Sequence, residues 1–138
     1  MAFEHVVKLL NETDVVAIVT TRKNGERAAT AIWSMVVDGV PYVRSAFGPE
    51  SWWYRHVVAG RPVSFVDGDG SIAERDRASA LDLPRVDVTL VEVASDDAIQ
   101  PALDAEVERK YAAAEPSSVR AMLTPEALDC TFRVEPAA

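Results

Sequence analysis

An α+β fold, a small antiparallel split β-barrel of about six strands with flanking helices, is what this sequence predicts, on three observations. Two hairpin signals, Asn24-Gly25 and Asp38-Gly39, separate β-branched apolar runs, so three consecutive strands form a meander and not a parallel sheet. Short strand patterns recur along the chain, and strands of that number leave long bare edges unless the sheet closes on itself. The 138 residues, 49% hydrophobic and 26% charged, show no repeat or linker and fit one domain over 1–138. An open sheet with helices on one face is the alternative arrangement of the same elements.

Phe3, Val6, Val7 and Leu10 fall at i, i+3, i+4 and i+7 and predict a short amphipathic helix. Val15 to Thr21 is a β-branched strand that Arg22-Lys23-Asn24-Gly25-Glu26 turns into a second, about Arg27 to Val37. Asp38-Gly39 turns that strand into a third at Pro41 to Arg44. Ser45 to Ser51 is turn-rich and leads into a helix over Trp52 to Ala59, stopped by Gly60. Pro62 to Val66 and Val86 to Val93 read as the fourth and fifth strands. Between them, Asp67 to Arg85 holds two Asp-Gly pairs, the Glu74-Arg75-Asp76-Arg77 cluster and Pro84, and reads as a surface excursion with a short strand near Ile72. Asp96 to Ala114 is a helix beginning near Pro101, with Leu103, Val107 and Tyr111 on one stripe. Ser117 and Ser118 cap a further turn through Leu123, Thr124-Pro125-Glu126 starts another, and Cys130 to Val134 is the closing strand. On these phases Val15, Ala17, Ile18, Val36, Val43, Val88, Leu90 and Phe132 are expected to point inward.

Fourteen basic against 22 acidic side chains give a net charge of −8, which repels nucleic acid and anionic membrane surfaces. A single cysteine, Cys130, forms no internal disulfide, and Met1 to Leu10 lacks the cationic start and unbroken apolar run of a signal peptide, so the expectation is a cytoplasmic protein. No stretch approaches the roughly 20 apolar residues that cross a bilayer. Counted from Asp67 as a calcium loop, position six is Ile72 where glycine is needed and position twelve is Ala78 where glutamate is needed, so that motif fails. His5 and His56 have no Glu or Cys at metal-ligand spacing, and no metal site is expected. Cys130, in an apolar strand with no basic neighbour in sequence, reads as an inert buried thiol. Nucleophile, Walker and dinucleotide signatures are missing.

The order strand, Asn-Gly hairpin, strand, Asp-Gly hairpin, strand, followed by Trp52-Trp53-Tyr54-Arg55-His56-Val57-Val58-Ala59-Gly60-Arg61-Pro62, resembles the split-barrel superfamily of pyridoxamine-phosphate oxidases and deazaflavin-dependent nitroreductases. Glu108-Arg109-Lys110-Tyr111, Met122-Leu123-Thr124-Pro125-Glu126-Ala127 and Thr131-Phe132-Arg133-Val134 resemble a small bacterial subfamily of these barrels. The resemblance covers most of the chain outside Asp67 to Arg85, and it departs at Arg55-His56, where the superfamily often carries asparagine. It implies a flavin- or deazaflavin-dependent oxidoreductase transferring hydride to a small molecule, with FMN or deazaflavin F420 held at a homodimer interface. A cofactor that carries the reacting atom would explain why the chain shows no acid–base dyad. The rival class is a non-catalytic split barrel, either a small-ligand binder or a dimeric interaction module.

A flavin phosphate needs a cation, hydroxyl donors and exposed backbone N–H groups, and Arg44, Ser45, Gly48 and Ser51 supply these within a few residues. The alternative is that Arg44 ends an outward strand face and Ser45 caps a turn. Trp52 and Trp33 are candidates for the pocket or for a dimer contact, whereas Trp53, paired with Val57, reads as core. Arg22 and Lys23 sit in a hairpin turn from which positive charge can reach a phosphate, unless they are simply solvated. If Arg44 grips a phosphate, Arg44→Ala is expected to weaken cofactor affinity about tenfold or more and to leave folding nearly unaffected.

Overall fold

The computed structural model describes residues 3–137; Met1, Ala2 and Ala138, which complete the expected domain, lie outside the described residues. In chain order the elements are α1 (Phe3–Glu12), β1 (Val16–Thr21), β2 (Arg27–Ile32), β3 (Ser34–Val37), β4 (Val40–Arg44), a 3-10 turn (Gly48–Glu50), α2 (Trp52–Val58) and β5 (Val63–Val66). Then follow α3 (Ile72–Arg75), α4 (Arg77–Ala80), β6 (Arg85–Val93), α5 (Gln100–Lys110), α6 (Pro116–Ala121), α7 (Pro125–Leu128) and β7 (Thr131–Pro136).

Both hairpins form where the turn residues place them. Gly25 takes φ +90° and donates to the Arg22 carbonyl at 2.9 Å, while Asn24 Oδ1 accepts from the Glu26 amide. Asp38 and Gly39 both have positive φ, the backbone sign that matches a two-residue turn to the twist of its strands. All strand pairs are antiparallel, in the order β2-β1-β5-β6-β7-β4-β3. The outer strands β2 and β3 are consecutive in the chain and separated by Trp33 alone. Neighbouring Cα atoms lie about 3.8 Å apart, so the sheet must curl until these two edges approach one another. The one long strand expected over Arg27 to Val37 is therefore two, broken at Trp33, and the sheet has seven strands.

Inside the curl, Val16 and Ile18 pack with Leu10, Val43, Trp53, Phe65, Phe132 and Val134, and α1 and α2 cover the opening. The other face of β1 is buried as well, because Ala17 and Val19 lie under Ala73 of α3 and Ala80 of α4. A third cluster joins Met35, Tyr42 and Val93 to Leu103, Val107, Tyr111 and Met122 beneath α5. Of the residues expected to point inward, Ile18, Val43, Val88 and Phe132 are buried inside the curl and Val15, Val36 and Leu90 are half-buried, whereas Ala17 is buried on the opposite face of β1, since neighbouring strand residues face opposite ways.

The segment Asp67 to Arg85 corrects the sequence reading: it carries two short helices and no strand near Ile72, and it packs onto the sheet. Its buried side chains are alanines, which supply little hydropathy contrast but let a helix sit close to a strand. Gly70 makes the tightest approach, donating to the Val15 carbonyl at 2.9 Å. A Cβ on Gly70 would collide with the backbone of Val16 and Ala17.

A polar knot ties α5 to the barrel. Tyr111 Oη accepts from the Ser34 amide at 3.0 Å and donates to the Asp14 carbonyl at 2.6 Å. Lys110 Nζ donates to the carbonyls of Leu10 and Ser34 at 2.7 and 3.1 Å. Burial pushes the Lys110 pKa down to about 8 and the Tyr111 pKa up to about 12.

The collision at Gly70 is with backbone and cannot be relieved by a rotamer change. Gly70→Ala is expected to cost about 3 kcal/mol in urea denaturation. Gly60→Ala has open space around it and only its φ of +79° to strain, so it is expected to cost about 1 kcal/mol. Equal costs at the two sites would contradict this packing.

Candidate functional site

Where the β1–β2 turn, the 3-10 turn, α2, the entry to β5 and α4 converge, an open cleft of about 1020 Å3 is formed. The phase of α2 builds one wall. Trp52 and Arg55, one helical turn apart, face the cleft, while Trp53 borders it and packs its ring against Phe132 in the core. The Arg55 guanidinium lies 5.4 Å from the Trp52 ring centre, donates to the Pro49 carbonyl and pairs with Glu50 at 2.9 Å. Phe47 and Trp52 are 79% and 70% exposed, so the cleft offers aromatic surface that the chain leaves uncovered.

Five cations line this cleft, Arg22, Lys23, Arg55, Arg61 and Arg77, against one acid, Glu50. They come from separate parts of the sequence in a chain of net charge −8, so the fold concentrates positive charge that composition conceals. At the floor, His56 is buried and its Nδ1 hydrogen-bonds Thr20 Oγ1 at 2.8 Å. Burial, and then the positive charges of Arg61 and Arg22, hold the imidazole below its ordinary range, so it is neutral at pH 7. Cations beside aromatic faces and hydroxyl groups suit a planar ligand carrying negative charge.

Of the residues singled out in the sequence, Arg22, Lys23, Ser51 and Trp52 meet in this cleft. Trp33 lines an adjoining hollow of about 430 Å3 with Ala46, Ser117 and Ser118, and the two spaces share Thr30, Phe47, Ser51 and Trp53. Its ring stacks on Tyr111 at 3.9 Å. Ser45 and Gly48 are buried: Ser45 Oγ donates to the Gly48 carbonyl, and Gly48, at φ +61°, packs against Glu126. They shape the turn before α2. Sequence reasoning passed over His56, Arg55, Arg61 and Arg77 as site residues, although Arg55-His56 was the visible departure from the superfamily pattern.

Arg44 has neither role weighed for it in the sequence. It is 1% exposed and its guanidinium is engaged inside the protein. Nε donates to Thr131 Oγ1 at 3.0 Å, Nη1 to Asp104 Oδ1 and the Met122 carbonyl at 2.8 Å each, and Nη2 to Gln100 Oε1 at 2.6 Å. Gln100 in turn donates to the carbonyls of Ala94 and Leu128. Sequence gives the end of a strand but not the partners 56 to 87 residues away that close over it.

These contacts reverse the expectation for Arg44→Ala. Removing the cation leaves the buried Gln100 and Met122 acceptors without a donor and the half-buried Asp104 without its ion pair, a loss of about 2–4 kcal/mol in chemical denaturation, with ligand affinity of the folded fraction in the cleft unchanged. A variant as stable as the wild type but weaker in ligand binding would return Arg44 to the site.

Three crystal structures share the fold. The conserved hypothetical protein Rv2991 from Mycobacterium tuberculosis matches all of this chain and 81% of its own at 16% identity, with a TM-score of 0.60. HutZ, the heme storage protein from Vibrio cholerae, matches 96% of this chain and 88% of its own at 12% identity, with a TM-score of 0.62. ChuZ from Campylobacter jejuni matches 98% of this chain at 18% identity and a TM-score of 0.58, and this chain spans only 53% of it. No curated protein matches. A family model described as an uncharacterized protein conserved in bacteria, DUF2255, matches residues 6–134, and the chain belongs to that family.

Proposed function

We propose that this member of the DUF2255 family binds a planar, anionic redox cofactor in the cleft, FMN or deazaflavin F420, and acts as an oxidoreductase that transfers hydride to a small molecule. The observation that carries the reading is the gathering of five cations around an aromatic-walled cleft in a chain of net charge −8. When bound, the ring system supplies the hydride chemistry. The chain's own residues have the remaining tasks. Arg22, Lys23, Arg61 and Arg77 would hold the anionic tail, Trp52 and Phe47 would cover the ring and exclude water, and Ser51 and Thr30 offer hydroxyl groups.

A ligand that binds only the folded chain raises its stability by about 2.7 kcal/mol at one hundred times Kd. Thermal melts with FMN, F420 and hemin therefore test the reading. A rise with either flavin supports it, a rise with hemin alone redirects it to the heme that HutZ stores, and no rise with any of the three removes it. Arg22→Glu with Lys23→Glu, both in an exposed turn, is expected to weaken flavin affinity about tenfold or more while leaving the melting temperature of the free protein nearly unchanged.

The exposed rings of Phe47 and Trp52 favour a second reading of the same surface, a homodimer whose interface covers them, with the barrel serving as a non-catalytic small-ligand binder or interaction module. Light scattering at micromolar concentration is expected to give a dimer, and Trp52→Glu a monomer. A wild-type monomer would exclude it.

A further inference from the structure

We infer that an anion seated in the cleft is taken up together with a proton on His56, so that His56 is a proton-linked binding group of this site. The inference rests on the cleft being a binding site, as proposed above, and concerns a residue to which that proposal gives no role.

The geometry starts from the ring. His56 Nδ1 is committed to Thr20 Oγ1 of β1 at 2.8 Å, which fixes the orientation of the imidazole. Nε2 has no protein partner and is not shut away from solvent among the described residues. Since His56 lines the cleft, that nitrogen is the edge left for a ligand or a proton. Beside it, Arg61 donates to the Thr21 carbonyl at 3.3 Å, which holds the guanidinium next to the strand that carries Thr20.

Among the charged groups lining the cleft, Arg61 and Arg22 act most directly on the proton. Arg22 and Lys23 approach from the β1–β2 turn, Arg55 from α2, Arg61 from the entry to β5 and Arg77 from α4, while Glu50 of the 3-10 turn, already paired with Arg55, is the one acid. In the free protein burial, and then the charges of Arg61 and Arg22, oppose a further positive charge at His56 and hold it below its ordinary range. An anion among the same arginines reverses the local potential and favours the imidazolium, whose Nε2–H can then donate to it. By linkage, the anion raises proton affinity and the proton raises anion affinity by the same factor. For an anion whose own charge is constant there, binding is thus expected to strengthen as pH falls through the range where His56 titrates.

Only two histidines are present, so His5→Gln leaves His56 as the sole imidazole signal. His5 lies on the exposed face of α1, paired with Asp67 and outside the cleft, and losing one surface pair costs little. In this variant the His56 titration is followed by NMR for the free protein, with FMN, with inorganic pyrophosphate, and with sodium chloride at matched ionic strength. The expected result is an upward shift of the midpoint by about one pH unit with FMN, a tenfold tighter hold on the proton, and a smaller shift with salt. Bound FMN with the midpoint unmoved, or moved only as far as by salt, overturns the inference while the cofactor reading stands. If FMN does not bind at any pH, F420 takes its place in the titration; if neither binds, the flavin reading fails and pyrophosphate decides: a shift beyond that of salt supports the inference, and none overturns it.

Discussion

The burial of one positive charge sets the terms for the rest of this structure. A guanidinium cannot be taken out of water unless its donors are met, and Arg44 meets four acceptors drawn from β7, α5 and the turn after α6. The β4–β7 ladder, which sets Arg44 opposite Thr131, and the apolar cluster beneath α5 bring those partners near the end of β4, and the guanidinium fixes how they meet. The helical layer therefore docks in one register, and the turn from Ser45 to Ser51 leaves the sheet from a fixed point. α2 starts immediately after that turn, so the direction of Trp52, Arg55 and His56 into the cleft depends on a residue that borders only the adjoining hollow. Arg44 acts on the site by building it.

The electrostatics of the molecule divide in the same way. Acidic side chains outnumber basic ones, yet cations from four unconnected segments are brought together while a single carboxylate joins them. Mutual repulsion among Arg22, Lys23, Arg61 and Arg77 is tolerated because each has access to water, and the aromatic walls restrict how far that water screens them. An unpaired set of this kind stores free energy that a counter-charge releases. The exposed Phe47 and Trp52 add an apolar area of the same character, held out of the core although the core has room for Trp53 one residue away.

How far the chain could be read in advance follows from what kind of signal each element carries. The hairpins were legible because Asn24-Gly25 and Asp38-Gly39 are local chemistry, and the strands because β-branched runs bury one or both faces. The helices after β5 were hidden, since they pack through Ala73, Ala80 and a glycine that hydropathy patterns do not register. The break at Trp33 was hidden as well, because nothing in Ala31-Ile32-Trp33-Ser34 marks the point where a strand passes from one edge of a sheet to the other. At the site, Arg22, Lys23, Ser51 and Trp52 were found through a resemblance and their exposed turns. Arg61, Arg77 and His56 gain meaning only from neighbours distant in sequence, and the internal bonds of Arg44 were hidden for the same reason, as its partners lie on three other elements.

The sheet order carries a consequence for synthesis. β7, the last strand along the chain, lies between β6 and β4. Until it arrives, the strands form two separate pieces, β2-β1-β5-β6 and the β3–β4 hairpin, joined covalently at Trp33 but unable to complete the curl. A nascent chain halted between residues 93 and 131 thus leaves the β6 and β4 edges that β7 will join open, and carries an arginine whose threonine partner does not yet exist. Closure is a late, long-range event, of the sort that makes folding slow and leaves an incomplete chain prone to edge pairing with its neighbours. For this barrel, the interval between translating β6 and releasing β7 is the period of greatest exposure, and a chaperone that shields strand edges would act there.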